Sequence, residues 1–533
     1  MNARYDYIIV GAGSAGCVLA NRLTESGQHR VLLLEAGGQD SNRWIHIPIG
    51  FGKTMFDREV NWMFETEPEA RLHGRNIKIP RGRVLGGSSS INGLIYIRGQ
   101  REDYDDWKAL GNPGWGFADC LPYFKKSEHQ TRGPDEWHGT GGPLCVSDVK
   151  DKHPLADAFI AAGETLGIRT TRDFNGAQQE GLGYFQGTAR NGKRCSAAVA
   201  YLHPAINRSN LTVVTHAHAT RILTEGRRAT GVAYTHDGDL MRAYADREVI
   251  LSAGAIQSPQ LLQLSGIGPA EVLQQHGIDV IHALPGIGRN LQDHLQSRII
   301  WRCAEPVTVN DDLMSLRRKI GIGLQYALRR SGPLSWYAGL AGGFARTRPE
   351  LDRPDIQFHF FPYSTDRVDP SLHSFSGFTM SVCKLRPESR GTVHIKSKDP
   401  HIAPAIAPNF LEREADVATM LDGLKMVRKL AETPELSRWI STEYDPGPDC
   451  ADDDQLVDFI RKKSMTVYHP AGTCKMGSDA DAVVDQALQV RGMQSLRVID
   501  ASVMPLVTSG NTNAPVIMIA EKAADMILAQ AKG

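Results

Sequence analysis

Residues 5–35 read YDYIIVGAGSAGCVLANRLTESGQHRVLLLE. Tyr5–Val10 is a short apolar, β-branched run, the pattern of a strand buried in a parallel sheet. It passes directly into Gly11-Ala-Gly13-Ser-Ala-Gly16, after which CVLANRLTES has the apolar spacing of a helix. A second strand, Arg30–Leu34, ends on Glu35. Strand, glycine turn, helix, strand and acid make a βαβ unit of about 30 residues with GxGxxG at its first turn. Gly11 allows the tight turn, Gly13 lets the backbone approach a pyrophosphate, and Gly16 permits close helix–strand packing. The helix N-terminus, with Ser14 and Ala15 in its first turn, offers unpaired N–H groups and a positive dipole end to phosphates. Glu35 is placed to accept hydrogen bonds from ribose hydroxyls and would repel a 2′-phosphate, which disfavours NADP. This unit alone does not separate FAD from NAD. AGSAG at 12–16 is not a hydrolase elbow, because Ala12 occupies the first glycine position.

Outside this unit the composition is ordinary. The 533 residues exceed what one compact domain needs, so two large or interleaved domains are expected. Lys plus Arg and Asp plus Glu both total 60, so no basic surplus points to nucleic acid. The 52 glycines are dispersed, which suggests tight turns and close backbone approaches to a ligand. The eight cysteines are scattered with no CxxC, so neither a zinc site nor a disulfide framework is expected, and a cytoplasmic location is the simplest reading. The apolar run Tyr7–Ala20 is broken by three glycines and is shorter than the ~20 residues of a membrane span, so no transmembrane segment is expected there. The apolar tail from Ala514 carries Glu521, Lys522 and Asp525 and reads as a partly buried helix.

Two long stretches decide between cofactors. Residues 82–105 read GRVLGGSSSINGLIYIRGQREDYD, and residues 254–268 read GAIQSPQLLQLSGIG. Both resemble signatures of the glucose–methanol–choline oxidoreductases, FAD-dependent enzymes that oxidise alcohols. The resemblance extends to the tail LRVIDASVMPLVTSGNTNAPVIMIAEKAADMI (496–527). It implies a mixed α/β fold, with a Rossmann-like FAD-binding domain interleaved with a substrate domain built on an antiparallel sheet. The FAD-binding parts are expected at 1–155, 195–300 and 466–533, and the substrate parts at 156–194 and 301–465. Gly86-Gly87-Ser88-Ser89 has little bulk, so backbone can lie against a flat ring system. Asn92, Gly93, Leu94 and Ile95 are expected at the isoalloxazine, and Val84 near the pyrophosphate or ribityl chain. Ala36, Trp62, Gly87, Ala219, Tyr468, Asp500, Ala501, Asn511 and Thr512 are further cofactor positions that the resemblance implies. Residues 210–223 look like a strand pair near the adenine, and Pro354–Pro362 alternates like a strand. Some relatives attach the flavin through a loop histidine. Ile91 stands there, which implies non-covalent FAD.

Removing hydride from an alcohol carbon also requires a base for the hydroxyl proton, and histidine suits that role near neutrality. His469, in VYHPAGTCKMG, matches the family's catalytic histidine, and Asn513 is taken as the second position, holding the substrate oxygen. Pro515 in the first helical turn suggests a helix N-terminus beside the flavin. Leu340, where choline-specific relatives carry glutamate, implies a neutral primary alcohol. Phe360 and Val467 are further substrate residues, and Trp336, Tyr337 and Phe360 could form an aromatic cage that partly compensates for the missing carboxylate, which keeps choline as an alternative substrate. The overall resemblance favours a quinone-type acceptor. Val467, a small side chain two residues before the base, keeps oxygen as the alternative. No metal is expected.

Overall fold

The computed structural model describes residues 3–366 and 371–531. Along the chain its principal strands are β1 (Ala3–Val10), β2 (Val31–Leu34), β3 (Gly181–Tyr184), β4 (Leu211–Val214), β5 (Ala217–Glu225), β6 (Arg228–His236) and β7 (Asp239–Leu251). They continue as β8 (Leu295–Cys303), β9 (Ala341–Ala345), β10 (Ile356–Phe361), β11 (Gly377–Lys384), β12 (Ile440–Asp445), β13 (Met465–Thr466) and β14 (Leu496–Val498). The helices used below are α1 (Ser14–Thr24), α2 (Gly254–Leu264), α3 (Leu316–Arg329), α4 (Glu414–Glu432) and α5 (Asn513–Gln530).

The first sheet has the order β4–β2–β1–β7–β6–β5, with β14 beside β7. Strands β4, β2, β1, β7 and β14 run parallel, and β5–β6–β7 form an antiparallel meander. The all-apolar VLLL of β2 is buried at every residue because the parallel core is covered on both faces. Helices α1 and α5 supply much of that cover, through Val18, Leu19, Ile517 and Met518. The expected strand pair over 210–223 is corrected. Strands β4 and β5 do form, but they do not pair with each other and instead occupy opposite ends of the sheet order.

The second sheet is antiparallel throughout, in the order β12–β8–β11–β10–β9–β3, with β13 beside β8. Its side chains alternate between two faces with the period of two that a pleated strand imposes. Leu295, Ile299, Phe358, Phe360, Phe378, Met380 and Val382 face a core that includes Leu424 and Val427 of α4. Gln296, Arg298, His359, Phe361 and Thr379 face the other way. Strand β8 runs unbroken across residue 300 and pairs with β13 across 465–466.

The glycine turn explains how α1 meets the sheet. Gly11 has φ +99, a left-handed conformation that costs glycine least, and a Cβ there would sit 2.6 Å from the Ser252 carbonyl oxygen. A Cβ on Gly16 would lie 1.9 Å from the Gly11 carbonyl oxygen, whereas one on Gly13 would meet nothing closer than 3.9 Å. Gly16 is therefore required by the protein, and Gly13 leaves room that only a ligand would fill. Gly16→Ala should lower the thermal midpoint and the flavin content together. Gly13→Ala should leave the midpoint of the flavin-free protein near wild type while weakening flavin retention. Differential scanning fluorimetry, with the 450 nm absorbance of the purified proteins, checks both.

Candidate active site

A cavity of about 930 Å³ runs along the C-terminal edge of the parallel strands to the inner face of the second sheet. Glu35, Ala36, Trp62 and Ala219 lie at one end, and Val467, His469 and Asn511 at the other, with Gly11, Gly13, Ser14, Ala15 and Gly87 also on the wall. Ser252 Oγ, Gln296 Oε1 and His359 Nδ1 belong to wall residues and are buried without a protein partner. A polar ligand would satisfy such atoms.

All but two of the residues expected at a cofactor line this cavity. The exceptions are Gly16, packed against Gly11, and Val84, whose side chain is enclosed by Ile45, Val60 and Ile91. Glu35 accepts from the backbone N–H of Ala12 at 2.9 Å and of Gly37 at 2.8 Å. Burial raises its pKa to about 7 against those two donors. The loop serines mostly hold the loop itself. Ser89 Oγ donates to the Gly86 carbonyl at 2.6 Å, and Ser90 Oγ donates to that of Leu85 at 2.7 Å. Asp500 gathers the second signature, accepting from Gly254 N–H at 2.9 Å and Ser258 Oγ–H at 2.6 Å.

The substrate expectations need correction. Leu340 and Phe360 do not line the cavity, because both pack in the core on the α4 side of the second sheet. Trp336 and Tyr337 are also off this wall, so with Phe360 they form no cage on it. The neighbours of Phe360, His359 and Phe361, take the cavity side with Gln296, Arg298 and Val467. The two asparagines, both on the cavity wall, differ in their partners. Asn513 begins α5, and its Oδ1 accepts from Ser14 Oγ–H at 2.7 Å. Asn511, just before the helix, brings its Nδ2 to 3.2 Å from His469 Nε2.

His469 is held on its other side by a residue that sequence reading missed. His294 Nδ1 lies 2.9 Å from His469 Nδ1, the rings crossing at 88°, and His294 Nε2 lies 2.8 Å from the Leu385 carbonyl oxygen. A carbonyl only accepts, so His294 carries its proton on Nε2. Burial lowers the His294 pKa to about 4, which keeps that ring neutral and its Nδ1 bare. His469 must then donate from Nδ1. Burial first, then the neighbouring His294, His359 and Arg81, drives the His469 pKa well below its usual value. Its Nε2 is consequently an unprotonated acceptor on the cavity wall. Asp293 secures the segment, accepting from the backbone N–H of His469 and of His294, each at 2.8 Å, and from Thr466 Oγ–H. Tyr468, between Val467 and His469, adopts φ +71, a strained left-handed backbone.

A dinucleotide-type turn, a long cavity with unmet polar atoms and a neutral, oriented histidine at its far end fit a dinucleotide-dependent oxidoreductase site. Comparison with known proteins makes the assignment specific. The two parts of the GMC oxidoreductase profile match residues 5–296 and 387–520. An alcohol dehydrogenase (acceptor) of Pseudomonas putida is 45% identical over 98% of this chain and 96% of its own. The mitochondrial choline dehydrogenase of Homo sapiens is 45% identical over 99% of this chain and 90% of its own. Among solved structures, pyridoxine 4-oxidase from "Mesorbium loti" superposes with a TM-score of 0.89 at 32% identity, each chain covered to 98%. The chain belongs to the GMC oxidoreductase family, FAD-dependent enzymes that act on CH–OH groups.

Buried neutral histidines also set a pH response. In the unfolded chain His294, His359 and His469 gain protons as pH falls through about 6.5, whereas the folded protein resists them. Stability is thus fully present above pH 6.5 and declines below it, by about 1.4 kcal/mol for each tenfold weakening of proton affinity that folding imposes on a site. The thermal midpoint should fall steadily between pH 6.5 and 4, read by circular dichroism. Glu35 and Asp293, raised by burial to about 7 and about 6, act in the opposite direction over this window, so a His359→Gln variant whose midpoint falls as steeply as wild type would exclude neutral burial of His359.

Proposed function

We propose that the protein oxidises an uncharged primary alcohol to the aldehyde, with His469 as general base and Asn511 positioning the substrate oxygen. The observation that carries this reading is the bare His469 Nε2 on the cavity wall, 3.2 Å from the Asn511 amide. Bound FAD supplies the hydride acceptor. The alcohol oxygen takes a hydrogen bond from Asn511 Nδ2, and its proton passes to His469 Nε2 as the carbon–hydrogen bond breaks. The imidazolium keeps its Nδ1–H on His294 throughout, so the ring does not turn during proton transfer. Burial excludes water that would otherwise compete for Nε2. Asn513, occupied by Ser14, anchors the start of α5 instead. The N-terminus of that helix offers its positive dipole end to the cofactor.

The wall supports an uncharged substrate. Arg298 contributes a cation on the face that also carries Gln296 and His359. The carboxylates among the described wall residues are Glu35, Asp366 and Asp500. Glu35 and Asp500 are engaged by backbone N–H groups, and Asp366 lies 3.3 Å from His373 Nε2. Among the described wall residues no carboxylate is left to pair with a quaternary ammonium at His469, whose burial there would be costly. Non-covalent FAD is supported by Ile91, a hydrocarbon side chain on the wall, and by the absence of cysteine among the described wall residues. A quinone-type acceptor accords with the relative named alcohol dehydrogenase (acceptor). Oxygen is the second reading, favoured by the small Val467 on the wall.

In anaerobic stopped-flow, primary alcohols should reduce the flavin faster than choline does. His469→Ala should slow that reduction by ~10²–10⁴ with FAD still bound. Asn511→Ala should slow it more than Asn513→Ala. A histidine variant reduced at the wild-type rate would refute the assignment. Acid precipitation of the holoenzyme should release all flavin into the supernatant, and yellow colour left in the pellet would exclude non-covalent binding.

A further inference from the structure

Helix α3 turns its most apolar side away from the protein. Residues 313–330 read LMSLRRKIGIGLQYALRR, with no acidic residue. Leu316, Ile320, Leu324 and Leu328 recur every fourth position and so form one stripe. In a helix of a globular domain that stripe normally faces the core. Here the four side chains are 73%, 56%, 56% and 81% exposed, and Met314, just before the helix, is 54% exposed. The helix is held from its far side by buried Tyr326, whose Oη donates to the Gly192 carbonyl at 3.0 Å. At about 100° per residue, Tyr326 points away from the stripe. A Cβ built on Gly321 or Gly323 would meet nothing within 4 Å, so no other described part of the protein covers this side of the helix.

The charge around the stripe identifies what covers it. Arg317, Arg318 and Lys319 stand at one end and Arg329 and Arg330 at the other, in a chain whose formal net charge is zero. Of these, Arg318 lies 3.4 Å from Asp312. Exposed leucines between basic ends match a helix lying in a membrane interface, with its apolar side at the acyl boundary and its cations at anionic headgroups. A second copy of this chain would set the same basic ends against each other. The position of the stripe is also informative. Leu313 and Met314 at its start line the cavity that holds His469. No helix among the described residues is long and apolar enough to cross a membrane, so attachment would be in plane.

We propose that α3 docks the protein on an anionic lipid bilayer and seats the mouth of the cavity at that surface, where apolar molecules dissolved in the lipid can enter. This inference stands independently of the alcohol-oxidation reading, because its test measures partitioning. Holoenzyme would be floated on a density gradient with vesicles of phosphatidylcholine alone or mixed with phosphatidylglycerol. It should rise with the anionic vesicles and less with the zwitterionic ones. The Ile320→Glu/Leu324→Glu double variant should lose binding by roughly tenfold or more. Arg317→Gln/Lys319→Gln/Arg329→Gln should lose mainly the preference for anionic lipid. Unchanged flavin absorbance and thermal midpoint establish that the variants are folded. Wild-type protein that stays at the bottom with both vesicle types overturns the proposal, as does a double variant that floats like wild type. A wild-type dimer that ignores vesicles and is split by Ile320→Glu/Leu324→Glu would make the stripe a subunit interface and overturn it equally.

Discussion

Parallel strands deliver their C-terminal ends to a single edge, and the site is built from the loops that leave those ends. Strand β1 ends at Val10 and leads to Gly11–Gly13; β2 ends at Leu34 and leads to Glu35–Ala36. Strand β7 ends at Leu251 before Ser252–Gly254, and β14 ends at Val498 before Asp500–Ala501. All four loops line the same cavity although they span almost the whole sequence. Their convergence follows from strand direction, as it does in open parallel sheets generally. Asp500 ties two of them, because a buried carboxylate must collect donors, and it takes them from Gly254 and Ser258. Gly254 and Ser258 of the second signature thus have a structural tie that precedes any cofactor contact.

The second sheet closes the cavity with one face while burying the other. That division makes the wall polar and the rear apolar within the same strands, as the alternation of Gln296 and Arg298 with Leu295 and Ile299 illustrates. It also permits an unusual pair of neutral imidazoles. Two histidines in water would titrate near pH 6.5; enclosed and bonded to each other and to the Leu385 carbonyl, they are fixed in complementary tautomers. The proton positions are settled by one carbonyl oxygen that can only accept.

The βαβ unit was legible because its pattern is local, with apolar runs, glycine spacing and a terminal acid all within 31 residues. The long signatures located the cavity wall for similar reasons. Sequence failed where the answer depended on parity or on tertiary neighbours. In β10, IQFHFF, five of six residues are aromatic, aliphatic or histidine, so nothing local says that His359 and Phe361 face the cavity rather than Phe360. In β8 the alternation of Gln296 and Arg298 in an apolar strand was an available local signal for the wall. Within NTNAP, two asparagines two residues apart offered equivalent chemistry. The helix start at Asn513 decides between them, because it swings that side chain to Ser14 and leaves Asn511 for His469. His294 lies 175 residues from its partner, and no spacing rule connects them.

The hydrogen bond between Ser14 and Asn513 joins the first residues of two helices, so the N-termini of α1 and α5 stand side by side at the cavity. Each carries about half a positive charge from its unpaired N–H groups. Two such ends repel one another until something negative or strongly hydrogen-bonding lies against them. An empty site therefore stores unfavourable electrostatics at the junction of the helices that cover the first sheet, and a filled one removes it. Folding and cofactor capture are then linked, with the folded fraction rising as free flavin exceeds its dissociation constant. The amount of intact protein in a cell is then a readout of flavin supply as well as of synthesis and degradation.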